Sequence, residues 1–217
     1  MKSKIWISAI GIVIVLSVEF GLRDVFLPEN PTDIHIEIAA IAELLILGVL
    51  LFFWIPKAEG NKLESIGFGK LRWRYLWIGV LSFLILMVAS LFVGLALEAI
   101  GLETLASLQP IIREYNLLTL ILLFFTGTFF EEIFYRGYLI ERITSLTGKS
   151  WLAGIVSWIT FTFVHLKFFG LGPTLNVGVT SAVLVLLYLK ERSIYPCIVV
   201  HGINSVIVYL MTPLLTL

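Results

Sequence analysis

Long apolar segments alternate with short polar stretches along the whole chain. A helix needs about 20 mainly apolar residues to cross a hydrocarbon core that is about 30 Å thick. Seven segments approach or exceed that length, at residues 5–22, 38–55, 75–100, 117–138, 151–169, 174–189 and 194–214. The pattern predicts an all-α polytopic membrane protein, a bundle of about seven transmembrane helices.

The composition agrees with this pattern and gives no sign of a second domain. Of the 217 residues, 59% are hydrophobic and 14% are charged, whereas about a quarter of the residues in a soluble domain are charged. The formal net charge of zero argues against a nucleic-acid partner. We therefore predict a single membrane domain over residues 1–217, with a motif-bearing core at about 117–214.

The basic residues indicate an orientation, because cytoplasmic loops carry an excess of lysine and arginine. Most of the 15 lysines and arginines lie before the first segment or in the alternate connections on the same side. The opposite side holds Arg23, Arg113 and Lys167. We predict an integral protein of the plasma membrane, with its N-terminus in the cytoplasm and its C-terminus outside.

Two adjacent carboxylates and an arginine interrupt the fourth apolar segment: Glu131, Glu132 and Arg136. A charge at mid-bilayer costs roughly 2.5–3.5 kcal/mol even on a lenient scale, so such groups are normally paired, turned inward and functional. Glu132 and Arg136 are four residues apart and share a helix face. Glu131 is rotated about 100° away and is left for chemistry. The alternative is an ion-paired helix end at the membrane surface.

A histidine interrupts the fifth segment, where Phe161 and His165 share a helix face. Gly148 lies between the fourth and fifth segments and suits a helix end with a tight reversal. The two glutamates precede Gly148 by almost as many residues as His165 follows it. An antiparallel hairpin is therefore predicted to bring the carboxylates and this imidazole to one depth.

The last segment contains a third polar interruption, His201 followed by Asn204 and Ser205. Residues three and four positions apart share a helix face, so these three side chains are expected to point the same way. His201 lies ~12 Å beyond the preceding turn at 1.5 Å per residue. All three interruptions are predicted to converge about a third of the way into the membrane.

These residue types favour hydrolysis. A carboxylate can take a proton from water, and imidazoles can orient that water or donate to an oxyanion. Two histidines and one carboxylate are also the ligands of some catalytic zinc sites, which here would be Glu131, His165 and His201. The residues leave open whether the water is activated by a carboxylate, with no cofactor, or bound to a divalent metal such as zinc.

The three motifs resemble those of the CPBP family of intramembrane proteases. That family includes the type II CAAX prenyl endopeptidases and bacterial proteins of the bacteriocin-immunity (Abi) group. The resemblance covers roughly residues 117–214 and consists of Glu131-Glu132-x-x-x-Arg136, Phe161-x-x-x-His165 and His201 at the start of the last motif.

The resemblance implies hydrolysis of a peptide bond inside the membrane, in a peptide or membrane-protein substrate. It implies that Glu131 activates water together with His165, and that Glu132 and Arg136 hold the site. His201 would support the oxyanion or a metal.

One position departs from the family, which commonly has asparagine four residues after the last histidine. This chain has Ser205 there, with Asn204 one position earlier. Either Asn204 donates to the oxyanion, or Ser205 supplies a shorter donor, or activity is weakened. Loss of one such donor costs ~2.7–4 kcal/mol in a soluble protease.

The same residues are compatible with two other functions. A non-catalytic membrane protein, of the bacteriocin-immunity type or a proton- or cation-coupled transporter, could also use paired acids and histidines. A cysteine protease would use Cys197 and His201, but the glutamate pair would then have no role. Cys197 is the single cysteine, which excludes an intrachain disulfide.

Overall fold

The computed structural model describes residues 2–28 and 31–211. Their secondary structure is helical and contains no strand, which confirms the predicted all-α fold. The main helices are α1 (Lys2–Phe26), α2 (Asp33–Ala58), α3 (Trp73–Ala99), α4 (Gln109–Glu114), α5 (Leu117–Thr147), α6 (Ser150–Phe169), α7 (Leu171–Glu191) and α8 (Tyr195–Ser205, continued by Val206–Met211). Short 3₁₀ turns occupy Leu63–Ile66 and Leu105–Leu108.

Within the described residues, five helices are both long and apolar enough to cross a membrane: α2, α3, α5, α6 and α7. The apolar parts of α1 and α8 are shorter, Trp6–Gly21 and Tyr195–Tyr209. A polytopic membrane protein is therefore confirmed, whereas the predicted number of seven spans is not. The last predicted segment ended at residue 214, and its residues 212–214 lie outside the described residues.

The reversal predicted at Gly148 is confirmed. Gly148 ends α5 with φ of 72° and donates its N–H to the Thr144 carbonyl at 2.8 Å. A positive φ is readily adopted by glycine and rarely by other residues. Because α6 begins two residues later, at Ser150, α5 and α6 form a tight hairpin.

The core is built around the middle of α5. The segment Thr126–Leu139 has the wider turns of a π-helix, and nearly all of its side chains are buried. Helices α2, α6, α7 and α8 all contact this segment. In contrast, α3 exposes large apolar side chains such as Leu84, Ile85 and Val88 along its length. The polar residues on α5 are therefore enclosed by protein, and the lipid-facing surface is apolar.

Candidate active site

The π-helical segment of α5 carries Glu131, Glu132 and Arg136, all of them buried. In a π-helix each backbone N–H bonds to a carbonyl five residues away, and such turns are rare and frequently found at functional sites. Ordinary α-helical turns were predicted for this segment, so its π-helical geometry is a correction. The three charged side chains still point into the bundle, where three other helices contribute the remaining groups of the site.

The predicted ion pair between Glu132 and Arg136 is confirmed. Arg136 Nη1 donates to Glu132 Oε1 at 2.9 Å, and neither side chain is exposed. Arg136 Nη2 also donates to the Ser181 hydroxyl of α7 at 3.0 Å, and the guanidinium lies 4.2 Å from the centre of the Phe161 ring. Buried charges are tolerated when they are paired and hydrogen-bonded. Ser181 was missed by the sequence analysis, because a single serine in an apolar segment gives no signal.

Glu132 also fixes the ring of His201. Glu132 Oε1 lies 2.8 Å from His201 Nδ1. Since an ionised carboxylate has no proton to give, the imidazole Nδ1–H is the donor. In the neutral ring, Nε2 then carries a lone pair.

The imidazole of His165 is held in the same tautomer by a different group. Its Nδ1 lies 2.7 Å from the carbonyl oxygen of Phe161, one turn earlier in α6. A carbonyl oxygen can only accept, so Nδ1 carries the proton and the Nε2 atom of the neutral ring is an acceptor. Phe161 therefore contributes twice, because its ring lies against Arg136 and its carbonyl orients His165.

Glu131 lies between the two imidazoles. His165 Nε2 is 3.9 Å from Glu131 Oε1, and His201 Nε2 is 3.9 Å from Glu131 Oε2. These separations are too long for direct hydrogen bonds. The prediction that residues of three separate motifs converge is confirmed. The carboxylate of Glu131 on α5 thus lies between an imidazole of α6 and an imidazole of α8.

Ser205 lies close to this cluster. A Cβ atom built on Gly127 would be 3.7 Å from His201 Nε2 and 3.7 Å from Ser205 Oγ. Ser205 is 1% exposed, and its hydroxyl makes no hydrogen bond to another described residue. Asn204 is only partly buried. Gly127 was missed by the sequence analysis, because its importance depends on side chains of another helix.

The distances from Glu131 to the two imidazoles indicate whether these side chains could bind a metal ion together. Within the described parts of the chain, no three His, Cys, Asp or Glu side chains are grouped so that they could hold a metal. Ligands bound to tetrahedral zinc at 2.0–2.1 Å lie roughly 3.4 Å apart, whereas the nitrogen–oxygen separations here are 3.9 Å. As positioned, Glu131, His165 and His201 do not form a zinc site.

Cys197 takes no part in the cluster of hydrogen bonds around Glu132. It is fully buried, and its thiol donates to the carbonyl oxygen of Leu184 at 3.6 Å. The thiol is therefore held against α7 in the packing between helices, as a small apolar residue often is.

Helices α5, α6 and α8 thus bring a carboxylate and two imidazoles together inside a helical bundle whose long apolar helices can cross a membrane. Residues 113–207 match the family model Rce1-like, described as type II CAAX prenyl endopeptidase Rce1-like. The resemblance deduced from the motifs is thereby confirmed, and at the level of the family the match supports an intramembrane protease of the CAAX type. The matched residues include all of the site residues described above. No curated protein and no solved structure matches the chain.

Proposed function

We propose that this protein is an intramembrane endopeptidase that hydrolyses a peptide bond with a water molecule activated by Glu131. The observation that carries the proposal is the position of the Glu131 carboxylate between two imidazole Nε2 atoms, each 3.9 Å away. Both imidazoles have their protons on Nδ1, so each directs its Nε2 toward the carboxylate, and the attacking water is proposed to bind beside these atoms.

The separation between Glu131 and His165 suits one bridging water. Consider a water oxygen about 2.8 Å from both Glu131 Oε1 and His165 Nε2. The angle that these two atoms subtend at the water oxygen is then nearly a right angle, close to the angle between the two O–H bonds of water. Both protons would then be held, and a lone pair of the oxygen would be free to attack. This is the arrangement that a general base requires.

Each step balances within the site. The water oxygen bonds to the carbonyl carbon of the substrate, its proton passes to Glu131, and the carbonyl electron pair moves onto the carbonyl oxygen. The C–N bond then breaks, and Glu131 gives the proton to the departing amine nitrogen. The products are a carboxylic acid and an amine, and Glu131 returns to its ionised form.

The other charged residues orient the side chains around the reacting groups. Arg136 holds Glu132, and Glu132 holds Nδ1 of His201. Held in this way, His201 directs its Nε2 toward Glu131. We propose no step through a metal, because each imidazole lies farther from Glu131 than two ligands of one zinc ion lie from each other.

The substrate class follows from the location of the site. Glu131 lies on a helix long and apolar enough to cross the membrane, so we propose a peptide or membrane protein that enters from the bilayer or its cytoplasmic surface. A prenylated CAAX C-terminus is the substrate that the family match suggests. We place the N-terminus in the cytoplasm, the C-terminus outside and the protein in the plasma membrane, in keeping with the distribution of basic residues.

The proposal is tested with purified protein and a labelled peptide or membrane-protein substrate. Glu131→Gln and His165→Ala are expected to lower kcat by about 10²–10⁴-fold, the usual contribution of general acid–base catalysis. Glu98→Gln is the matched control, because Glu98 is exposed at the end of α3. A chelator should leave wild-type cleavage unchanged.

Three outcomes would contradict the proposal. Equal cleavage by wild type and both site variants would refute the role of Glu131 and His165. Ion flux into proteoliposomes without any proteolysis would favour the transporter alternative. Loss of cleavage on chelation, restored by zinc, would replace the carboxylate mechanism with a metal-bound water.

A further inference from the structure

The hydroxyl of Thr128 is buried in the π-helical segment of α5. It makes no hydrogen bond to another residue that the structure describes. A helical threonine usually has a simple solution, because its hydroxyl can donate to the carbonyl oxygen one turn earlier in its own helix. Four threonines of this bundle do so: Thr126, Thr160, Thr162 and Thr180. The hydroxyl of Thr128 is not used in this way and is available to a partner outside its own helix.

One carboxylate oxygen of Glu132 is in the same condition. Oε1 accepts from both Arg136 and His201, whereas Oε2 is buried and accepts from no described residue. An ionised carboxylate can accept on both of its oxygens, and a buried polar atom nearly always has a partner, either protein or ordered water. The hydrogen bonds of the site therefore leave Oε2 in need of a donor.

These two buried atoms belong to one contact between α5 and α8. Thr128 precedes Glu132 by four positions, which is about one turn in a helix whose hydrogen bonds span five residues. Their contacts on α8 are neighbours in sequence: Glu132 Oε1 lies 2.8 Å from His201 Nδ1, and a Cβ placed on Gly202 would lie 3.3 Å from Thr128 Cγ2. A hydroxyl and a carboxylate oxygen are thus exposed to each other's side of the same helix contact.

Water is the ligand that fits this pair of atoms. A buried water typically makes about three hydrogen bonds to polar groups that would otherwise lack a partner. It can donate to Glu132 Oε2, and it can donate to or accept from a hydroxyl, which has both capacities. A cation does not fit, because the charge of Glu132 is already paired with Arg136 and the described residues contain no group of side chains that could hold a metal.

We infer that a resident water molecule binds between Thr128 Oγ1 and Glu132 Oε2 and donates to the carboxylate. It is distinct from the attacking water, which is assigned to Glu131. The effect on catalysis rests on the proposed function: the water fixes the Glu132 carboxylate, which orients the ring of His201. Thr128 is therefore a positioning residue that acts through this water, and it has no contact with the substrate.

Two substitutions at position 128 separate the hydroxyl from the methyl group. Thr128→Val keeps the shape and removes the hydroxyl, and it should lower kcat by about tenfold, the lower end of what a hydrogen bond to a charged group contributes. KM should change little. Thr128→Ser keeps the hydroxyl, and its kcat should stay within about threefold of wild type, since a deleted methyl acts mainly on stability. Thermal unfolding in detergent checks that both variants are folded.

Thr126→Val is the matched control, because Thr126 lies in the same π-helical segment and its hydroxyl bonds to carbonyl oxygens of its own helix. Its kcat should stay within about threefold of wild type, because only a local hydrogen bond is lost. Three kinetic results would overturn the inference. They are wild-type kcat in Thr128→Val, an equal loss in Thr128→Ser, which would assign the effect to the methyl packed on Gly202, and an equal loss in Thr126→Val.

A structure determined at a resolution that shows ordered water tests the site directly. The wild type should contain a water oxygen within about 3 Å of both Thr128 Oγ1 and Glu132 Oε2, and Thr128→Val should lack it. A wild-type structure without this water, or with the hydroxyl bonded directly to Glu132, would reject the inference whatever the kinetics. This measurement also decides the question if Thr128→Val fails to fold.

The proposed function is judged separately, by cleavage in wild type and in Glu131→Gln. Cleavage that Glu131→Gln abolishes, in a protein without water beside Thr128, would support the function and reject the resident water. Absence of wild-type cleavage would remove the proposed function and the catalytic effect of Thr128, and the structure alone would then confirm or reject the water site.

Discussion

Helix α5 carries two buried arginines, each paired with a buried glutamate, and the two clusters differ in what surrounds the carboxylates. Arg142 pairs with Glu59, which is 1% exposed and follows the end of α2. Glu59 Oε1 accepts from Ser8 at 3.1 Å and from Tyr138 at 2.8 Å, and Oε2 accepts from Arg142 Nε at 2.8 Å and from Asn61 at 3.3 Å. Both oxygens are surrounded by donors.

Around Arg136 a second carboxylate lies beside the paired one. Arg136 and His201 both donate to Glu132, but the neighbouring Glu131 faces the acceptor nitrogens of His165 and His201. A carboxylate whose oxygens are filled with donors has no capacity left for a substrate. The Glu59 cluster fastens α5 to α1 and α2, whereas Glu131 lies between the imidazoles of α6 and α8.

The largest effect is expected when the fastening cluster is broken by Arg142→Met. Removal of one partner of a buried ion pair costs about 3–5 kcal/mol of stability because the other charge stays buried and unpaired. The folded fraction should keep the wild-type kcat, since Arg142 contacts Glu59 and Ser65 and no residue of the site. Chemical unfolding in detergent, with kcat corrected for folded protein, measures both. Loss of kcat with unchanged stability would contradict the proposal that the Glu59 cluster stabilises the fold and takes no part in catalysis.

A smaller effect is expected from Ser181→Ala, which tests the support of the site. The change removes the acceptor of Arg136 Nη2, and a hydrogen bond to a charged group is worth about 1.5–3 kcal/mol. Stability should fall by that amount, and kcat should fall more than in Arg142→Met because Arg136 positions Glu132. Ser181→Thr, which keeps the hydroxyl, should restore much of kcat. Equal kcat in Ser181→Ala and Ser181→Thr would show that the Ser181 hydroxyl contributes to packing alone.

The smallest effect is expected from Cys197→Ser, which tests where the site ends. The thiol contacts the Leu184 carbonyl, and a serine hydroxyl can donate to the same oxygen. Cleavage should stay within about twofold of wild type, because a structural buried cysteine is chemically inert. Abolished cleavage in a folded Cys197→Ser variant would revive the cysteine-protease reading.

The meeting of Glu131, His165 and His201 could be predicted from sequence because polar residues in apolar segments are conspicuous. The hairpin at Gly148 set the relative depth of α5 and α6, and helical spacing paired Glu132 with Arg136. These inferences need only the rise of a helix and a reliable turn signal.

Other features depend on partners that are distant in sequence. Glu59 lies in a basic connection and looks like an ordinary surface acid, yet Ser8, Tyr138 and Arg142 bury it. The π-helical turns of α5 have no sequence signal in an apolar segment.

The two imidazoles also differ in how a mutation can change their orientation. The ring of His165 is oriented by a main-chain carbonyl, which every amino acid possesses, so no side-chain replacement at position 161 can delete that acceptor. The ring of His201 is oriented by the side chain of Glu132, and a single codon change there can release it. The orientation of His201 can therefore be lost through one substitution on α5, whereas that of His165 cannot be lost through any side-chain replacement at position 161.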